Sequence, residues 1–141
     1  MYKTILLPID LNAESSWQKA LPTALDLARV YSAKLHVVAV VPNLGTALVG
    51  SFFPKDFEKE AMDAAQAELA KFERNLPDDV ATETHLAHGT IYEEIIHAAD
   101  SLGADLIVMA SHRPELKDYL LGPNAARVVR HAKQSVVVVR D

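Results

Sequence analysis

The residues best placed for chemistry lie between Leu106 and Val129. Leu106 to Met109 reads as a buried strand. Ala110-Ser111-His112-Arg113-Pro114 then opens a polar loop, and a helix begins after Gly122-Pro123. A strand, a loop and a helix start together present backbone N–H groups to an anion. Gly122 permits close backbone approach. Pro123 suits the first helical position, where its missing N–H costs nothing. Arg113 and Lys117 add positive charge beside that helix start. Two readings stand on this stretch alone: a phosphate site, or an ordinary surface connection with a glycine cap.

The bulk composition narrows the classes. The chain has 141 residues, enough for one domain with one core. Half are hydrophobic and 23% are charged, a globular balance rather than a disordered one. No apolar run approaches the roughly 18–20 residues of a membrane span. The start, Met1 to Pro8, is too short an apolar run for a signal peptide. With no cysteines, thiolate metal sites and thiol catalysis are excluded, and a cytoplasmic home is expected. The net charge of −5 disfavours a nucleic-acid partner, which usually demands a basic face.

The elements that must position the loop can be read in order. Thr4 to Ile9 is a nearly continuous apolar run, ended by Pro8 and Asp10, as in a strand buried on both faces. Asn12, Ser15 and Ser16 are candidate N-caps. Apolar residues at 17, 20, 21, 24, 27, 28 and 31 have helical spacing. Pro22 implies a kink or a late start in that helix. Trp17 reads as core or interface.

Leu35 to Val41 is a second strand, in which His36 reads as a strand-start residue rather than a ligand. Asn43 to Pro54 reads as a loop, with Phe52 and Phe53 as anchors onto the core. Asp56 to Asn75 is the clearest helix, its apolar stripe at 57, 61, 64, 65, 69, 72 and 76. Val80 to His88 alternates weakly and reads as an edge strand. His85 and His88 fall on opposite faces of it, which argues against a metal pair.

Thr90 and Glu93 have the spacing of a capping box before a helix over Ile91 to Leu102. Gly103 is its C-cap. After the strand at Leu106, a helix runs from about Pro123 to Ala132. Ser135 to Arg140 is a last strand made almost wholly of valine.

Alternating strands and helices predict a doubly wound, five-stranded parallel sheet with helices on both faces. The first and fourth strands look the most buried and belong in the middle, which favours order 3-2-1-4-5. The ligand crevice of such a sheet lies where the order reverses, at the carboxyl ends of strands one and four. Those ends are Pro8-Ile9-Asp10 and Ala110 to Arg113.

With these pieces assembled, the whole chain, as one domain, resembles the universal stress protein family. The resemblance rests on Lys3 to Asp10, Leu35 to Val41, Gly89-Thr90, Gly103 to Met109, Leu120-Leu121-Gly122, Val128 to His131 and Val136 to Arg140. It implies the Rossmann-like sheet already described. It also implies ATP, with Mg²⁺ as a companion, and a homodimer through Ser135 to Arg140 that can pair further into a tetramer. The ATP-binding branch of the family is similar to a pattern of Gly, two residues, Gly, nine residues, Gly and a hydroxyl residue. Here Ala110 and Arg113 replace the first two glycines, the spacing to Gly122 is one residue shorter, and Pro123 replaces the hydroxyl residue. The Ser-His-Arg-Pro loop resembles a variant branch.

Carried over residue by residue, the resemblance puts the adenosine end on Pro8, Ile9, Asp10 and Val40, with Met109 on the wall. The phosphate end falls to Ala110, Ser111, His112, Arg113, Gly122, Pro123, Asn124 and Ala125. Arg113 could bind phosphate oxygens with a bidentate guanidinium, or pair at the surface with Glu115 or Asp118. Asp10 could contact adenosine, help hold Mg²⁺, or cap the Ser15 region. No Walker loop, catalytic triad or metal-ligand cluster is legible. Two functions remain: an ATP-binding regulatory module of the stress response, and a dimeric interaction protein whose pocket is vestigial.

Overall fold

The computed structural model describes residues 1–42, 57–111 and 122–140. The expected loop at Asn43 to Pro54, with Phe52 and Phe53, and the residues His112 and Arg113 lie outside them.

Five strands form one parallel sheet: β1 (Thr4–Ile9), β2 (Lys34–Pro42), β3 (Thr82–Gly89), β4 (Leu106–Ser111) and β5 (Ser135–Arg140). Their order is β3-β2-β1-β4-β5, as expected from the sequence. The described helices are α1 (Ala20–Tyr31), α2 (Phe57–Arg74), α3 (Ile91–Leu102) and α4 (Gly122–His131), with a 3-10 turn at Glu14–Ser16.

The side chains of β1 alternate between two cores. Ile5, Leu7 and Ile9 join Leu35, Val37 and Ala39 in one core, with Ala24 and Ala28 of α1 and Leu69 of α2. Leu6 joins Val38, Val40, Ile107 and Met109 in the other, with Ile91, Ile95 and Ala99 of α3 and Val128 of α4. This is the burial on both faces that a central parallel strand requires. The α3 contacts are spaced by four, so one stripe seals the sheet and the polar face stays wet.

Four local expectations change. Pro8 lies inside β1, in register with Val38, rather than ending it. The fourth strand continues to Ser111, so Ala110 and Ser111 are strand residues. Helix α1 starts late, at Ala20, one of the two outcomes that Pro22 implied, and Pro22 sits in the first turn, where no ladder bond needs its N–H. Its N-cap is Lys19, with no side-chain cap bond, so Asn12, Ser15 and Ser16 do not cap it. Thr90 is the N-cap of α3 with extended backbone, but its hydroxyl makes no cap bond, so the capping box does not form. Gly103 does end α3 in the left-handed conformation, at φ 68°.

Pro8 also decides where the sheet opens. The Lys34 N–H donates to the Lys3 carbonyl at 3.0 Å. Backbone direction alternates along a strand, so residues 3, 5, 7 and 9 address β2 and residues 4, 6 and 8 address β4. The rungs between β1 and β4 are Ile5↔Leu106 and Leu6↔Ile107. The next would run from the N–H of residue 8 to the Val108 carbonyl, and proline has no N–H. The ladder between the two central strands therefore stops at the switch point.

Candidate functional site

A cavity of about 260 Å³ lies at the carboxyl ends of β1 and β2. Three segments line it: Asp10, Leu11 and Asn12 after β1; Val40, Val41 and Pro42 at the end of β2; and Ala61, Ala64, Ala65 and Glu68 on α2. The alanines leave space between helix and sheet that a larger side chain would fill. A second cavity of about 290 Å³ adjoins it through Leu11 and Glu68 and runs beneath Trp17 and Phe72. Those two rings meet edge-on with centroids 5.4 Å apart, which fixes α2 against the turn that precedes α1.

Asp10 is 6% exposed and organises the turn that floors the cavity. Its backbone N–H donates to Ser16 Oγ at 2.8 Å, and that hydroxyl lies 3.1 Å from the Asp10 carbonyl, to which it donates. The Asn12 N–H donates to Asp10 Oδ1 at 2.9 Å. A carboxylate that accepts from the N–H two residues on closes an Asx turn. Asp10 thus stabilises its own turn instead of capping the Ser15 region. The 3-10 turn there has Ala13 as its N-cap, with no side-chain cap bond.

Of the adenosine-end residues, Asp10 and Val40 line the cavity. Pro8 and Ile9 are buried in the strand leading to it. Met109 is 0% exposed and packs into the α3–α4 core, so it supports β4 rather than facing the cavity. Ala110 is buried and Ser111 is half-buried at the end of β4. Gly122 and Pro123 start α4, with Pro123 exposed, Asn124 half-buried and Ala125 buried. Leu11, Asn12, Val41, Pro42 and the α2 wall were not legible as site residues. The run of small apolar positions at 61, 64 and 65 was the available signal.

The comparisons with known proteins agree over nearly the whole chain. The model of the universal stress protein family matches residues 1–140. Universal stress protein G of Escherichia coli O157:H7 is 32% identical over 146 residues, covering 99% of this chain and all of that protein. Among solved structures, a universal stress protein in complex with cAMP superposes with a TM-score of 0.60 at 24% identity, covering 99% of this chain and 97% of that one. The universal stress protein of Archaeoglobus fulgidus in complex with dAMP superposes with a TM-score of 0.64 at 19% identity, covering 97% of each. A five-stranded parallel sheet in the order 3-2-1-4-5 and a family match from end to end lead to one conclusion: the chain belongs to the universal stress protein family.

Proposed function

We propose that this chain binds an adenine nucleotide, ATP in the first instance, at the carboxyl ends of the central strands, and that the ligand regulates which partners the protein meets. The observation that carries the reading is the cavity between β2 and α2. Its walls are apolar at Val40, Val41, Ala61, Ala64 and Ala65, and polar at Asp10, Asn12 and Glu68. Flat apolar walls with a few polar groups at one end suit a purine and its ribose. The volume lies just below the usual range for small-molecule pockets, so it suits a nucleoside, with the phosphates extending beyond it. The start of α4, with Asn124 and Ala125, supplies N–H groups and the positive end of a helix dipole for them. Asp10 and Glu68 offer the hard oxygen ligands that Mg²⁺ prefers, so the residues present fit the ion that accompanies a triphosphate. Relatives that bind cAMP and dAMP support the choice of an adenine ligand.

The competing reading is an interaction protein whose pocket is vestigial. It draws support from Asp10 and Glu68, which both line the cavity and whose negative charges repel unscreened phosphate. Chromatography of the nucleotide released from freshly purified, heat-denatured protein, followed by ATP titration of the emptied protein, separates the two. Near-stoichiometric ATP, or binding at micromolar to millimolar ATP with Mg²⁺, supports the first. Neither release nor binding supports the second.

Assembly is part of the same proposal. β5 is an edge strand, and Val136 to Val139 are half-buried on it. An apolar edge with unpaired backbone groups invites a second copy, so a homodimer through Ser135 to Arg140 is expected, with tetramers as the next step. Light scattering at micromolar concentration tests it: a dimeric mass that falls to monomeric in Val138→Lys supports the edge contact. A monomeric parent protein overturns it.

A further inference from the structure

The amino end of the sheet carries a second cluster of chemically competent side chains. In the β2–β3 register His36 stands opposite Glu83, and Val38 stands opposite His85. Side chains alternate along a strand, so His36, Glu83 and His85 share one face, the face covered by α3. His36 Nδ1 lies 2.8 Å from His85 Nε2 and 3.6 Å from Glu83 Oε2. One ligand atom from each of the three residues falls within 4.8 Å of the other two. Among the described residues this is the one group of three potential metal ligands.

The spacing is informative. A tetrahedral ion with metal–ligand distances near 2.0–2.1 Å holds its donor atoms roughly 3.3 Å apart. The separations of 2.8 and 3.6 Å from His36 Nδ1 bracket that value. His36 is 5% exposed, which holds its ring between the strand and α3. The Glu83 side chain is 50% exposed, so the cluster opens to solvent on one side. Two imidazoles and one carboxylate with an open fourth position is the donor set that borderline divalent ions such as Zn²⁺ take, whereas Mg²⁺ prefers oxygen alone. His36 and Val40 are four residues apart on one strand, so the cluster sits about 13 Å from the nucleotide cavity.

The geometry points to a divalent transition-metal site formed by His36, Glu83 and His85, distinct from the nucleotide crevice. Both histidines ligate as neutral imidazoles, with the proton of each on its other ring nitrogen. In the metal-free protein one of these facing nitrogens donates a hydrogen bond to the other. Metal binding therefore moves that proton to the outer nitrogen of its own ring and turns the two lone pairs toward one point. Lys34 Nζ lies 2.9 Å from Glu83 Oε2 and competes for the carboxylate.

Titration of tag-free, chelator-treated protein with Co²⁺, without nucleotide, tests the site. One Co²⁺ per chain with visible d–d absorption, displaced by Zn²⁺, is expected. Loss of an outer-shell partner alone costs about 10–100-fold in metal affinity, so His85→Gln and His36→Gln are each expected to lower it at least about tenfold. His97→Gln, on the exposed face of α3, is expected to leave it unchanged. Circular dichroism verifies that the variants are folded, and half-buried His85 provides the test if His36→Gln fails to fold. No Co²⁺ uptake up to millimolar concentration, or uptake unaltered in His85→Gln, overturns the site. The readout needs no nucleotide, so its failure is distinguishable from failure of the ATP reading.

Discussion

The Asp10 N–H and the Ser16 hydroxyl form a reciprocal pair, 2.8 Å on the outward bond and 3.1 Å on the return. Both residues are buried, so neither group can turn to water instead. Ser16→Ala leaves the Asp10 N–H unpaired, and an unsatisfied buried group costs about 1–3 kcal/mol. A lower urea midpoint with an unchanged slope is the expected result. Because the same turn floors the cavity, nucleotide affinity should fall with it.

Gly89 ends β3 at φ +150°, a conformation that side chains rarely adopt. A Cβ there would also meet Glu94 Oε1 at 2.7 Å. Gly89→Ala should cost about 1–3 kcal/mol, the usual range for a residue held in a sparsely populated backbone region. Glu94 is flexible, so adding Glu94→Ala should recover the steric part and leave the backbone part. Thermal unfolding of the single and double variants separates the two.

Ala65 is half-buried on α2 and lines the cavity. Leucine is nearly as good a helix former as alanine, so Ala65→Leu should fill the cavity while changing stability by about 0.5 kcal/mol or less. If the cavity holds the base, ATP affinity in a calorimetric titration should drop at least about tenfold, a loss near 1.4 kcal/mol.

The bond from Arg29 Nε to Asp79 Oδ2, at 2.7 Å, ties α1 to the chain that leads into β3. The Arg29 hydrogen bond holds the Asp79 carboxyl below its ordinary value of 3.8. A carboxylate shifted downward contributes stability above its unfolded pKa and loses it as pH falls through the folded one. The parent protein should therefore lose melting temperature below about pH 3.8 more steeply than Asp79→Asn. Both groups are exposed, so the difference should be small and should vanish at 1 M salt, where the screening length is about 3 Å.

Much of the fold was legible because each element announces its own burial. The two-faced apolar runs at Thr4 to Ile9 and Leu106 to Met109 could only be central, and that fixed the strand order. The weakly alternating β3 fell to an edge by the same logic, whereas the valine strand β5 is as apolar as a central strand and takes its edge place from the order of the others. The residue register between strands was not legible. His36 reads as an isolated strand-start residue until the register sets Glu83 opposite it and His85 on the diagonal. His85 and His88 do point to opposite faces, with His88 toward Glu58 of α2 at 3.9 Å, but the partner of His85 lies 49 residues away. Asp10 was legible as a site residue, and its binding to its own turn was not. An Asx turn depends on backbone angles that side-chain periodicity does not encode.

Pro8 carries a consequence for engineering the molecule. A crevice between neighbouring parallel strands is unstable against zipping, because each further rung satisfies two backbone groups. Between β1 and β4 the next rung lacks its donor at Pro8. Replacing Pro8 with alanine would preserve an apolar side chain and could raise stability, yet it would supply the donor that lets β1 and β4 pair one rung further. A small apolar replacement here would extend the β1–β4 ladder by one rung and change the backbone that leads into Asp10. A stabilised variant obtained there should be counted as a loss until it is shown to bind.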